Sequence, residues 1–117
     1  MSYEQGDEIT LRGMTFHTII GVLPHEREHP QPLEIDLTVW MRRHDRIVDY
    51  RRMYAEVRAA VQAPDLLYLE ELAESISRRV LAEPAVIRAR VAVRKPHAAI
   101  GGPVRDIEVT ILRPSDA

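Results

Sequence analysis

From Leu33 to Met41 every second residue is apolar. Leu33, Ile35, Leu37, Val39 and Met41 share one face of an extended chain. Glu34, Asp36, Thr38 and Trp40 share the other. A period of two held over this length predicts a half-buried β-strand. Such a strand needs a second layer to cover its apolar face. The layer is supplied further along. Asp49 is placed to cap a helix in which Tyr50, Met53, Tyr54, Val57 and Val61 recur at helical spacing. Pro64 separates it from a second helix with the stripe Leu69, Leu72, Ala73, Ile76 and Val80, and Pro84 follows.

Two more alternating runs come after the helices. Ile87, Ala89, Val91 and Val93 face one way, and Arg88, Arg90 and Arg94 the other. Ile107, Val109 and Ile111 alternate with Asp106, Glu108 and Thr110. Paired antiparallel, these two strands set opposite charges against each other, each pair contributing a few tenths of a kcal/mol. A first strand region covers Glu8 to Val22. Its apolar phase changes at Gly13, from Ile9 and Leu11 to Met14 and Phe16, which predicts a β-bulge or a tight hairpin. Pro24 to Pro32 reads as a polar loop. The order strand, strand, helix, helix, strand, strand predicts one α+β domain over 1–117. It has a four-stranded antiparallel sheet with two helices on one face. Both sheet edges are then open, and a second copy of the chain is the simplest cover.

At 117 residues the chain can make one modest core, burying about two-thirds of its unfolded surface. A deep pocket made by one chain alone is difficult at this size. Lys plus Arg is 16 and Asp plus Glu 18, so the net charge of -2 gives no general pull toward nucleic acid or an anionic membrane. Aromatics at 5% supply no stacking platform for single strands. The absence of cysteine excludes disulfides, thiolate nucleophiles and Cys-ligated metal centres, and fits a cytoplasmic location. Met1 to Glu8 carries acids and no basic residue, unlike a secretory leader, and no apolar run is long enough to span a membrane.

His25-Glu26-Arg27-Glu28-His29 matches the H-E-x-x-H zinc-hydrolase pattern. That chemistry needs both histidines on one helix face, a turn apart. Pro24 precedes the match and Pro30 follows it at once. The residue before a proline is pushed out of the helical region, so His29 is expected outside any helix. The expectation is a loop or at most a single turn, with solvent-facing histidines and no metal site.

Several segments, in order, resemble the dihydroneopterin aldolase family. They are Ile9 to Phe16, Ile20 to Glu28, Gln31 to Leu37, Val48-Asp49-Tyr50, Leu69 to Glu74, Val91 to Pro96 and Val109 to Arg113. The resemblance implies the tunnelling fold, in which subunits join their sheets edge to edge into a ring barrel. It also implies homo-oligomers, tetramers or octamers, with active sites between subunits. The implied reaction is retro-aldol cleavage of 7,8-dihydroneopterin in folate biosynthesis, without a cofactor, metal or lysine Schiff base. By resemblance Glu70 anchors the pterin, Lys95 transfers protons, and Glu26 assists at the substrate's hydroxylated side chain. Leu69 flanks the anchor. Val48 lies near the pterin through its backbone, and Tyr50 comes from a neighbouring subunit.

The residues themselves bear on these roles. Glu70 lies near a helix start, where a carboxylate is favoured by the dipole whether or not it binds a ligand. Lys95 shares the parity of Val91 and Val93, so it ends its strand on the apolar face. Burial penalises an inward lysine's charge and suits it to proton transfer, although a strand-end lysine can also snorkel to water. Taken alone, Glu26 reads as a solvated loop acid, and Tyr50 also as a core tyrosine on a helix face. The segment from Trp40 to Ile47 is shorter than the family's usual connection. Arg42, Arg43 and Arg46 within it could serve a triphosphate. Two other functions therefore stay open: an epimerase acting on dihydroneopterin or its triphosphate, and a non-catalytic pterin- or purine-binding protein.

Overall fold

The computed structural model describes residues 7–42 and 47–116. Met1 to Gly6, and Arg43 and Arg46 of the basic loop, lie outside the described residues. The elements run β1 (Glu8–Thr18), α1 (Pro24–Glu28), β2 (Gln31–Met41), α2 (Tyr50–Val61), α3 (Leu69–Leu81), β3 (Val86–Pro96) and β4 (Asp106–Pro114). The strands form one antiparallel sheet in chain order, β1-β2-β3-β4.

The register carries the alternating pattern across the whole sheet. Ile35 opposes Val93, Leu37 opposes Val91, and Val39 opposes Ala89. Val91 and Val93 in turn oppose Ile111 and Val109 of β4. This apolar layer is fully buried on β2 and β3. α2 packs against β1, and α3 against β3 and β4, with the two helices touching each other. Met53, Val57, Ala60 and Val61 bring the stripe of α2 into the core, and Leu72, Ala73, Ile76 and Val80 that of α3. Asp49 caps α2 as expected, its carboxylate accepting from the Arg51 N–H at 2.9 Å.

The phase change in β1 is a bulge. Leu11 opposes Leu37 and Met14 opposes Ile35, so Arg12 and Gly13 together face Asp36 alone. Gly13 takes φ +66°, which a side chain resists, and its N–H donates to Asp36 at 2.7 Å. The extra residue returns Met14 and Phe16 to the face of Ile9 and Leu11.

Three expectations need correction. β1 ends at Thr18 rather than Val22, because the chain turns away through Gly21 at φ +125°. The stretch from Pro24 is not loop throughout: Pro24 opens the one-turn α1, and β2 begins at Gln31. Tyr50 is 61% exposed instead of facing the core. It is the first residue of α2, and the core-facing stripe starts one turn later, at Met53.

On the face away from the helices, Arg94 binds carboxylates on both neighbouring strands. Its nitrogens donate to Asp36 at 2.9 and 3.0 Å, to Glu34 at 3.3 Å and to Glu108 at 3.3 Å. At the other end of this face the Arg88 guanidinium lies 4.4 Å from the Trp40 ring centre. Among the described residues no helix is long and apolar enough to cross a membrane.

Candidate active site

Lys95 opposes Ile107 in the sheet and lies on the helix-facing side, as its parity predicts. There it meets Glu26. The Lys95 ammonium donates to Glu26 Oε2, and the two side chains are only 14% and 11% exposed. The residues are 69 apart in sequence, so folding alone brings them together.

Local geometry explains how an acid in the segment after Pro24 turns inward. Proline is well placed in the first turn of a helix. Glu26 is the third residue of α1, and its Oε1 accepts from the N–H of Leu23, the N-cap, at 3.1 Å. Gly21 makes the space: a Cβ there would collide with the Glu26 carboxyl, and its φ of +125° excludes most side chains as well. Burial raises the Glu26 pKa. The hydrogen bond from Lys95, the Leu23 N–H and the nearby charges of Lys95 and His25 outweigh it, leaving the group below its ordinary 4.5.

The zinc-hydrolase arrangement is not formed. His29 caps α1 in an extended conformation, φ -133° and ψ 133°, outside the helix that holds His25. Both histidines are exposed. The Glu of the motif is committed to Lys95 instead. Among the described residues no cluster of His, Asp and Glu has the makings of a metal site.

The ion pair stands in a cleft of about 350 Å³. One wall is Gly21, Val22 and Leu23. Leu67, Tyr68, Leu69 and Glu70 line the cleft as well, and so do Ala98 to Ile100. The volume falls in the range of small-molecule sites. Glu70 is exposed and opens α3 together with Leu69, where the first-turn N–H groups have no partners within the helix. Glu71, one residue on, turns back to the Leu67 and Tyr68 N–H groups at 3.2 and 3.0 Å. That bond fixes the start of the helix and so the placement of Glu70. A cleft of this kind offers both an acid–base pair and, at the start of α3, an exposed carboxylate.

Four of the six site residues named from sequence meet here: Lys95, Glu26, Glu70 and Leu69. Tyr50 and Val48 do not line this cleft. Val48 is buried in the core, and Tyr50 stands at the start of α2, which packs over β1. Sequence reasoning gave no role to Gly21 or to the residues Ala98 to Ile100. The signal for Gly21 was available, since an isolated glycine between apolar residues marks a special backbone position.

The fold and this cleft together place the chain in a class. Its strand–strand–helix–helix–strand–strand order superposes on solved tunnelling-fold structures. The Escherichia coli dihydroneopterin aldolase in complex with neopterin has a TM-score of 0.80 and 22% identity, covering 92% of this chain and 98% of that one. A Burkholderia dihydroneopterin aldolase bound to guanine has a TM-score of 0.81 and 23% identity, covering 97% and 95%. At the sequence level, the dihydroneopterin aldolase of Streptomyces coelicolor is 32% identical over 115 residues, covering 92% of this chain and 97% of its own. The dihydroneopterin aldolase family model matches residues 9–112. The chain belongs to the dihydroneopterin aldolase family.

Proposed function

We propose that this protein cleaves 7,8-dihydroneopterin by a retro-aldol reaction, giving 6-hydroxymethyl-7,8-dihydropterin and glycolaldehyde. The observation that carries the reading is the nearly buried Lys95–Glu26 pair inside a cleft that Leu69 and Glu70 also line. Glu70 accepts from the 2-amino and N3–H edge of the pterin, and Leu69 flanks the ring. The substrate's hydroxylated side chain then points to the pair. Lys95, with Glu26 and water, takes the proton from the hydroxyl on the carbon beyond the bond to be cleaved. The O–H electrons form the aldehyde C=O, the carbon–carbon bond breaks, and its electrons pass into the ring C=N. The resulting enamine is protonated on carbon with help from Tyr50, restoring the C=N and leaving the hydroxymethyl group. The ring is the electron sink, so Lys95 works without forming a Schiff base.

Tyr50 belongs to this site from a neighbouring copy, and Val48 lies near the pterin through its backbone. Two exposed apolar patches support that reading. Val22, Tyr68 and Ile100 rim the cleft, while Ile47 and Tyr50 stand near the start of α2. Different patches that meet between copies make a head-to-tail contact that can close into a ring. The protein is then a cytoplasmic homo-oligomer, tetrameric or octameric, of single-domain subunits spanning 1–117.

Incubation with 7,8-dihydroneopterin and assay of both products tests the reading. Glycolaldehyde and the hydroxymethyl pterin in equal amounts are expected. Lys95→Ala is expected to lower kcat by about a hundredfold or more. Full turnover by that variant would remove Lys95 from the mechanism.

A further inference from the structure

We infer that Arg27 is a positioning residue which sets the width of the cleft and thereby the affinity for the ring. This rests on the proposed pterin site. α1 is a five-residue helix, too short to be stable by itself, and its N-cap, Leu23, has no side-chain acceptor for the first-turn N–H groups. Two neighbouring side chains hold it. Glu26 joins it to Lys95. Arg27 joins it to the backbone of Gly21, which lines the cleft, and of Leu66, next to the lining Leu67. A single nitrogen, Nη1, donates to the Leu66 carbonyl at 2.6 Å and to the Gly21 carbonyl at 3.2 Å.

The position of these carbonyls gives the bonds their consequence. Gly21 lines the cleft, and Leu66 directly precedes Leu67, which lines it too. Arg27 itself does not line the cleft. Leu66 follows Asp65, whose φ of +63° makes the turn before α3. Leu66 is buried, so its carbonyl has little water to turn to if the guanidinium is lost. The strut therefore ties together two of the chain segments that line the cleft a flat ring would enter. A planar ligand held by edge hydrogen bonds and wall contacts is sensitive to the spacing of those segments. Lys95 and Glu26 are held by each other and by Leu23, so the acid–base pair keeps its geometry without the strut.

The test uses neopterin binding, followed by fluorescence, together with steady-state turnover of 7,8-dihydroneopterin. Arg27→Met is expected to raise the neopterin Kd and the KM about tenfold or more, with kcat within about threefold of wild type. Both bonds leave one nitrogen, so a lysine ammonium has enough donors to replace them. Arg27→Lys is accordingly expected to regain most of the affinity. A role confined to folding would lower the melting temperature of Arg27→Met and leave neopterin affinity unchanged, which would overturn the inference. Should Arg27→Met fail to fold, Arg27→Lys and Arg27→Gln are compared, and equal neopterin affinity in that pair overturns it likewise. Wild-type protein that does not bind neopterin overturns the functional reading itself. Wild type that binds while Arg27→Met binds equally overturns this inference alone.

Discussion

Glu26 owes its position to a residue with no side chain. Gly21 leaves the space its carboxyl occupies and takes a backbone conformation open mainly to glycine. Gly21→Ala is therefore expected to displace Glu26, with a loss of about 1–3 kcal/mol in stability from strain alone. Thermal unfolding and turnover measured on the same sample check it, and turnover should fall further than stability explains. The acidity of Glu26 gives a second expectation. Its pKa lies below the ordinary 4.5, so the group stays ionised as the pH falls through that value and takes a proton only below it. The acid limb of kcat/KM should consequently contain no Glu26 titration above about pH 4.5. In Glu26→Gln the charged partner of Lys95 is absent at every pH, so kcat should fall while the part of the acid limb below that value disappears.

Among the elements, β3 carries two arrangements on adjacent residues with opposite faces. Lys95 points toward the helices and Glu26, whereas Arg94 points the other way into carboxylates of β2 and β4. Asp36 is held below its ordinary 3.8, first by the Arg94 hydrogen bonds, against burial, and then by the Gly13 N–H. A depressed carboxyl contributes stability that is present above its unfolded value and lost as pH falls through the folded one. Asp36→Asn should cost about 1–3 kcal/mol near neutral pH. The cost should shrink as the pH falls below the ordinary 3.8 and on through the lower value of folded Asp36, where the wild-type carboxyl itself takes a proton. Urea unfolding at several pH values measures both.

The strands and both long helices were legible because their periods are clean. The bulge at Gly13 was legible because the apolar phase changes there. Tyr50 misled at one point, since helical spacing does not reveal where along a helix the core begins. The one-turn α1 was legible only as an upper limit set by Pro24 and Pro30, because too few residues carry its period. The commitment of Glu26 depends on Lys95 at a distance no local pattern records, and on the backbone angle of Gly21. Arg27 left no signal at all, since its partners are carbonyls, which every residue possesses.

For the whole molecule, the proposed reaction needs two chains at each site, one giving Lys95, Glu26 and Glu70 and the other Tyr50. Tyr50 is exposed, so Tyr50→Phe should fold normally. If Lys95→Ala and Tyr50→Phe subunits are unfolded together and refolded as a mixture, about a quarter of the sites regain both native residues. Product formation above the sum of the two separate variants is the expected result, and simple additivity would refute shared sites. The two free edges of the sheet also differ in kind. β1 is interrupted by its bulge, with the Gly13 N–H already taken by Asp36, while β4 pairs with β3 without interruption. Unlike edges give each copy a direction, as a link in a chain has a hook and an eye. Copies joined through them all point the same way around, and parity places no rule on how many there are. In the proposed ring, the number would be set by the angle each sheet turns through before the last hook meets the first eye.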